Sequence, residues 1–555
     1  MAQARMPSSK FQTRMVPSKN LLLALAAAIG AATYSSNSLA TGSFDPANAT
    51  ITQLRAALDE GRTSSEKLVA YYLDRIERFD KQGPAINALI SLNPEALAQA
   101  RRLDAAGKAP GRRGPLYGIP FVAKDNYDTI GIATSGGSAV LKNSVPRSNA
   151  FVIQKLIDQG AILIGKTNMS ELAASYGRFG YSSAGGLTLN PYNTARDVSG
   201  SSSGSAAAVA ADFAPFALGT DTSGSIREPA SVAGLVGLRP SLGLTSRSGV
   251  IPLSLSFDTT GPMTRSVQDM AIVLDAIASE DSEDVATLRH VRAPGSFGRN
   301  VGAQSLEGVR LGVISNFRGA NAEVDQVVEQ ALDKLRSQGA ILVPITLPQE
   351  FENLWDSVLG PVGEGEFKPQ FERYLGTLPD SQPKTLAQLI KISASPEVQQ
   401  SPTPLNPKRL KGLQEAEATQ LTVSPAYIRV LTDVIPSVRE KISALLEANK
   451  LQAFVAATMS CPASARFDRP DPAYVCKTDD PYKHGYIASA TGYPEVTVPA
   501  GRITGNMPVG ISFLGLPDSE AMLLGLGAAF ERIHPPLLPA QLYSNAAIRR
   551  AGIGK

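Results

Sequence analysis

Residues 199–227 read SGSSSGSAAAVAADFAPFALGTDTSGSIR, a run of serines and glycines on both sides of an apolar segment with no histidine nearby. A serine hydroxyl becomes a useful nucleophile only when an adjacent base takes its proton. Upstream, GIPFVAKDN (118–126) carries a short apolar, strand-like run that ends on Lys124. Lysine has a reference pKa of about 10.4 and is almost wholly protonated at neutral pH. Burial disfavours the ammonium and lowers that value by units. The pattern therefore points to nucleophilic catalysis with a desolvated amine in place of histidine.

Two short patterns in the same region suggest other chemistry and lack its context. Gly160-Ala-Ile-Leu-Ile-Gly165-Lys166-Thr167 fits the phosphate-loop expression GxxxxGK[ST], but its intervening Ala-Ile-Leu-Ile reads as a strand, not a turn of inward N–H groups. Gly200-Ser201-Ser202-Ser203-Gly204 fits the nucleophile elbow GxSxG, which needs a preceding apolar strand and a histidine partner. The preceding NPYNTARDVS is polar and turn-like, and His290, His484 and His534 lie in no hydrolase signature, so Ser202 is disfavoured as a nucleophile.

The chain resembles the amidase signature family over residues 50–270 and again near 485–515. The resemblance rests on GIPFVAKDN, GAILIGKTNMSE (160–171), the serine/glycine block, GTDTSGSIREPAS (219–231), GLVGLRPSLGLTSRSGVIPLSLSFDTTGPMTRS (234–266) and GYPEVTVPAG (492–501). It implies a Ser-cisSer-Lys triad in which Ser225 is the nucleophile, Ser201 follows a cis peptide and Lys124 is the base. Ser201 and Ser225 stand 24 residues apart, the family's spacing. Backbone N–H groups of Thr222, Ser223, Gly224 and Ser225 then face a developing oxyanion. Much of the family has glycine where this chain has Ser223. Asp221 and Arg227 are expected to pair and to order that loop. The wording GSSSGS and the C-terminal part resemble the family's peptide amidase branch.

Around these residues, 51–106 reads as helical, with Leu68, Val69, Tyr72, Leu73 and Ile76 at three-to-four spacing behind a capping box at Thr63 and Glu66. Short apolar runs at 119–123, 161–164, 213–218, 309–315, 341–346, 453–458 and 508–514 alternate with helical patterns. That alternation argues for an α/β fold layered around a buried sheet. The resemblance implies one large mixed sheet sandwiched between helices, with residues 41–555 as a single amidase domain. Residues 317–450 are the variable part of it. Within them 378–425, rich in Pro, Ser, Gln and Lys, is either a lid or a solvated connection.

Residues 1–40 hold Arg5, Lys10, Arg14 and Lys19 and no acid, followed by LLLALAAAIGAA (21–32) and the small-residue end Ser-Leu-Ala. This is the layout of a signal peptide cleaved after Ala40, with Met1 or Met15 as the start. Its apolar core of a dozen residues falls short of the ~20 that span a membrane. Export implies a periplasmic or secreted protein. Without those four cations the formal charge falls from +3 to −1. Near neutrality and no basic stripe disfavour nucleic acid as a partner. Cys461 and Cys476 are the only two cysteines, and in an oxidising compartment they are expected to bridge; in the cytosol they would be separate thiols. Three dispersed histidines and two cysteines offer no metal-ligand spacing, and no cofactor is expected. The expected activity is hydrolysis of a small-molecule or peptide amide through an acyl-enzyme. The alternatives are an acylamidase or esterase with the same triad, an amidotransferase component, and a binding protein without catalysis on this scaffold.

Overall fold

The computed structural model describes residues 44–107, 114–289, 295–299, 301–419, 424–534 and 537. Residues 1–43, with the expected signal peptide, and His290 lie outside them. Strands β1 (Leu89–Leu92), β2 (Pro120–Lys124), β3 (Ile162–Thr167), β4 (Tyr181–Ser182), β5 (Gly186–Leu187), β6 (Phe216–Asp221) and β7 (Val236–Arg239) come first. They are followed by β8 (Thr259–Thr264), β9 (Arg310–Ile314), β10 (Ile341–Ile345), β11 (Ala453–Ala457), β12 (Glu495–Ile503) and β13 (Met507–Leu514). Eleven of them form one sheet in the order β1-β3-β2-β6-β8-β7-β12-β13-β11-β9-β10, and β4 and β5 make a separate hairpin. Pairing is parallel at β2 with β3 and β6 and at β9 with β10 and β11, and antiparallel elsewhere in the sheet.

Both faces of this sheet are apolar, and period-two alternation divides them. Phe121, Leu163, Phe216, Leu218 and Val455 join one buried cluster. Val122, Ile162, Ile164 and Ala217 face the other way into a second, and Phe454 and Ala456 into a third. A sheet buried on both faces needs a helical layer on each. The expected large mixed sheet between helices is the fold observed.

The structure departs from the sequence pattern in three places. Residues 51–106 are not continuously helical: helices Ile51–Asp59, Ser65–Phe79 and Ala96–Ala106 are interrupted by β1, an edge strand that pairs antiparallel with β3. The helix at 65 is capped by Ser64, whose hydroxyl accepts the Lys67 N–H, so its third position is a lysine and no capping box forms with Thr63. A capping box is present instead at Thr50 and Gln53. The third difference is 378–425, which contains helices Leu386–Ser393, Pro396–Gln399 and Pro407–Ala418. Leu386, Leu389, Leu405 and Leu413 are buried with Phe367, Phe371, Leu172 and Ile251. The proline- and serine-rich composition hid four leucines that dock on the main domain.

The serine/glycine block also has a packing role. Helix Ser203–Ala210 is buried along its whole length against the sheet. A Cβ on Gly204 would lie 2.4 Å from the carbonyl oxygens of both Ala88 and Asn168, so only glycine allows that approach.

The packing of 378–425 makes a direct prediction. Leu389→Ala removes a fully buried side chain and is expected to lower unfolding free energy by about 2–5 kcal/mol in urea titrations. A change under about 0.5 kcal/mol, the range of a surface site, would mean that the segment is not docked.

Candidate active site

Lys124 ends β2 and Thr220 lies near the end of the neighbouring parallel strand β6, which sets the two side by side in the sheet interior. Lys124 is fully buried. Its Nζ lies 2.7 Å from Ser201 Oγ, 2.8 Å from Thr220 Oγ1 and 3.5 Å from the Thr220 carbonyl. The amide of Asn126 also donates to Thr220 Oγ1, at 3.1 Å. Among the described residues no carboxylate is paired with Lys124. Burial lowers its pKa to about 7, against the opposing pull of Asp221 and Asp258.

Ser201 follows a cis peptide bond from Gly200 and immediately precedes helix Ser203–Ala210. Its carbonyl accepts the Ser170 N–H at 3.1 Å, and the next N–H, of Ser202, donates to the Ser225 carbonyl at 3.3 Å. Ser225 is thereby tied to the segment that carries Ser201. Ser202 is buried with its hydroxyl donating to the Thr220 carbonyl at 3.1 Å, a structural contact that leaves the elbow pattern without its nucleophile. Likewise Gly165-Lys166-Thr167 is strand β3, with Lys166 buried against Asp125 at 3.3 Å, so no phosphate loop exists there.

The loop between β6 and helix Arg227–Val232 is shaped by one carboxylate. Asp221 Oδ1 accepts the Gly224 N–H at 2.9 Å and Oδ2 accepts the Ile226 N–H at 3.1 Å. The Arg227 guanidinium grips both oxygens at 3.0 Å, and Arg239 donates to Oδ1 and to the Asp221 carbonyl. Burial alone would push the Asp221 carboxyl up, but the two guanidiniums outweigh it and hold it below the usual carboxylate range. Arg227 reaches further, to Glu495 at 2.7 Å, the Gly485 carbonyl and Ser489.

One expectation is corrected here. Gly224 does not offer its N–H to a substrate oxygen, because that N–H is engaged by Asp221. Gly224 is instead required for conformation: its φ is +134°, and a Cβ there would lie 2.0 Å from Glu228 Oε1. The N–H groups of Thr222, Ser223 and Ser225 have no acceptor among the described residues. Thr222 is fixed by its hydroxyl, which donates to Asp258 at 2.5 Å.

These residues open onto a cavity of about 780 Å³ lined by Gly200, Thr222, Ser223, Ser225 and Glu228 at one end. Aromatic pairs form its walls, Phe179 with Tyr482 at 5.4 Å and Trp355 with Tyr486 at 5.5 Å between ring centres. Arg409, Gly412 and Glu415, from the segment 378–425, line the far side. Cys461 and Cys476 are joined in the structure, with Cα atoms 5.6 Å apart. The loop between them leans on the cavity's neighbours: Arg178 lies over Phe467, and Tyr181 packs on the same ring.

The family profile described as Amidase matches residues 67–524. The chain belongs to the amidase family. It is 34% identical over 491 residues to one of the subunits of the glutamyl-tRNA(Gln) amidotransferase of Acinetobacter baylyi, covering 86% of this chain and 94% of the relative. Among solved structures, native peptide amidase from Stenotrophomonas maltophilia superposes with a TM-score of 0.80 at 38% identity, covering 89% of this chain and 99% of that one. An amidase family protein from Bacillus anthracis gives 0.78 at 32%, covering 89% and 92%. The protein is accordingly an enzyme of amide carbon–nitrogen bonds. His484 Nδ1 lies 3.6 Å from Glu495 Oε1, and burial lowers the imidazole's pKa.

Thr220, Asn126, Asp258, Arg239, Glu495 and Glu228 are site residues that the sequence alone does not reveal. All six stand inside quoted motifs, but their partners are 18 to 268 residues away and no local pattern marks the pairing. The Asp221 arrangement predicts that Asp221→Asn, which leaves two buried guanidiniums short of charge, destabilises the fold by about 3–5 kcal/mol. Calorimetry checks this, and an unchanged melting temperature would contradict it.

Proposed function

We propose that the protein is an exported serine amidase that removes the terminal carboxamide of short peptides through Ser225, Ser201 and Lys124. The observation that carries this reading is the buried Lys124 amine 2.7 Å from Ser201 Oγ. With a pKa near 7, the amine is neutral in a large fraction of molecules at physiological pH. A neutral amine has two N–H donors and one lone pair. The two Thr220 oxygens receive the donors, and the lone pair is left for the Ser201 proton.

In this mechanism Ser225 Oγ attacks the carboxamide carbon while its proton passes to Ser201 and the Ser201 proton passes to Lys124. The N–H groups of Thr222, Ser223 and Ser225 stabilise the oxyanion. The carbon–nitrogen bond then breaks, the nitrogen takes the proton back through Ser201, and ammonia leaves. Water, deprotonated along the same route, releases the acid from the acyl-enzyme. Peptide substrates are favoured by the 38% identity to the peptide amidase and by an aromatic-walled cavity large enough for several residues. The likeness to an amidotransferase component supports a second reading, a transamidating role within a complex. A chain with the signal-like residues 1–40 fits it less well.

Ser225→Ala is expected to abolish turnover with the fold intact, and Lys124→Ala to lose about 10²–10⁴-fold in kcat, with full activity in either contradicting the assignment. For the wild type, kcat should rise about tenfold per pH unit below 7 and level off above it as Lys124 loses its proton. A profile flat from pH 5 to 9 would exclude Lys124 as the base. Export predicts mature protein from the native host that begins near Thr41 outside the cytoplasm, with Cys461 and Cys476 linked in non-reduced peptide maps. An intact N-terminus in the cytosol, or two free thiols in exported protein, would reject the respective claim.

A further inference from the structure

Glu228 lies on the first turn after the Ser225 loop and lines the cavity with Gly200, Thr222, Ser223 and Ser225. It is only 6% exposed. Its position is fixed at three points. Its N–H donates to the Gly224 carbonyl at 2.9 Å. Its Oε1 rests so close to the Gly224 Cα that a Cβ there would be 2.0 Å away. Its Oε2 accepts the Ser199 hydroxyl at 3.3 Å.

A buried carboxyl ordinarily has a cation or several donors, and the adjacent residue is an arginine. That arginine is committed elsewhere: Arg227 directs its N–H groups to Asp221, Glu495, the Gly485 carbonyl and Ser489. The other groups around Glu228 are Asp221 from its own loop, Asp480, Tyr482 and Tyr486 from the segment 480–486, and the Ser199 hydroxyl. Burial pushes the Glu228 carboxyl well above its usual range, Asp221 and Asp480 push the same way, and Arg227 opposes them without prevailing. That direction favours the neutral carboxyl, in which one oxygen is carbonyl-like and the other a hydroxyl. Oε2, which accepts from Ser199, is the carbonyl oxygen. The hydroxyl is Oε1, which has no hydrogen-bond partner among the described residues.

We propose that Glu228 is a substrate-binding residue whose Oε1 hydroxyl donates a hydrogen bond to a second carbonyl on the acyl side of the scissile carboxamide. The substrate class this selects is the N-acylated amino-acid amide, including a peptide amide, over a simple amide with one carbonyl. The inference rests on the reading of this cavity as the amide site with Ser225 as its nucleophile.

The test compares N-acetylphenylalaninamide with phenylpropionamide, which presents the same phenyl group and carboxamide but lacks the second carbonyl. Glu228→Leu should raise KM for the first by about tenfold or more while changing the second by less than about threefold, since a site built around a hydrogen bond discriminates against its loss. Glu228→Gln, which can turn its NH₂ to the cavity and its oxygen to Ser199, should stay within about threefold of wild type on both. In the wild type, KM for the acetylated amide should climb at alkaline pH as the donor is lost, and in Glu228→Gln it should not. Equal effects of Glu228→Leu on the two amides, or a Gln variant as impaired as the Leu variant, would overturn the proposal. Either result leaves the Ser225 reading standing, because that reading fails separately, if Ser225→Ala retains activity.

Discussion

Asp221 sits between two buried guanidiniums at the end of a central strand, and the geometry of the site follows from that ionic contact. Its two oxygens hold the N–H groups of Gly224 and Ile226, which bracket Ser225. Arg239 ties the carboxylate to β7, and Arg227 ties it to Glu495 at the start of β12 and to the helix Gly485–Thr491. A buried pair of this kind adds little net stability relative to apolar packing, yet breaking it is costly because a charge is left unpaired. Its effect is positional: one carboxylate fixes the loop, turns the Gly224 N–H inward and leaves those of Thr222, Ser223 and Ser225 without acceptors among the described residues. The same commitment of Arg227 leaves Glu228 without an ion pair among the described residues.

Two lysines are buried on adjacent parallel strands, and their surroundings separate their properties. Lys166 has a carboxylate, Asp125, at 3.3 Å, together with the Thr134 hydroxyl. Among the described residues Lys124 has only hydroxyl and carbonyl oxygens within reach, and the acids that influence it act from a distance. Burial lowers both amines; the adjacent carboxylate opposes that at Lys166, and the more distant Asp221 and Asp258 oppose it at Lys124. The strand register decides which lysine meets Ser201, since Lys124 pairs with Thr167 and Ala123 with Lys166, so the two side chains point to opposite faces.

The elements legible in the sequence are those whose signal is local. β2, β3, β6, β9, β11 and β13 stand out as apolar runs, because a strand buried on both faces is apolar throughout, and edge strand β10 is legible by the same apolar run although it is partly exposed. β7 (VGLR) and β8 (TTGPMT) escape notice: they are short or rich in Gly, Pro and Thr, and become strands through pairing with β6 and β12. The same distinction runs through the site. Lys124, Ser201 and Ser225 are marked by their motifs, while the residues that tune them act across 18 to 268 positions of chain, as in the contacts of Arg239 with Asp221 and of Arg227 with Glu495. The four leucines of 386–413 are masked by a polar composition, although they decide that the segment forms a cavity wall.

The central claim is that a desolvated, neutral Lys124 makes Ser225 nucleophilic through Ser201. The most direct measurement is the pH dependence of covalent labelling by a fluorophosphonate, with the modified residue mapped by mass spectrometry. The account predicts a single adduct on Ser225 whose rate rises with pH to a plateau through a midpoint near 7, and loss of that midpoint in Lys124→Met. An adduct on another serine, or a rate on Ser225 that keeps the same pH dependence without Lys124, would contradict it.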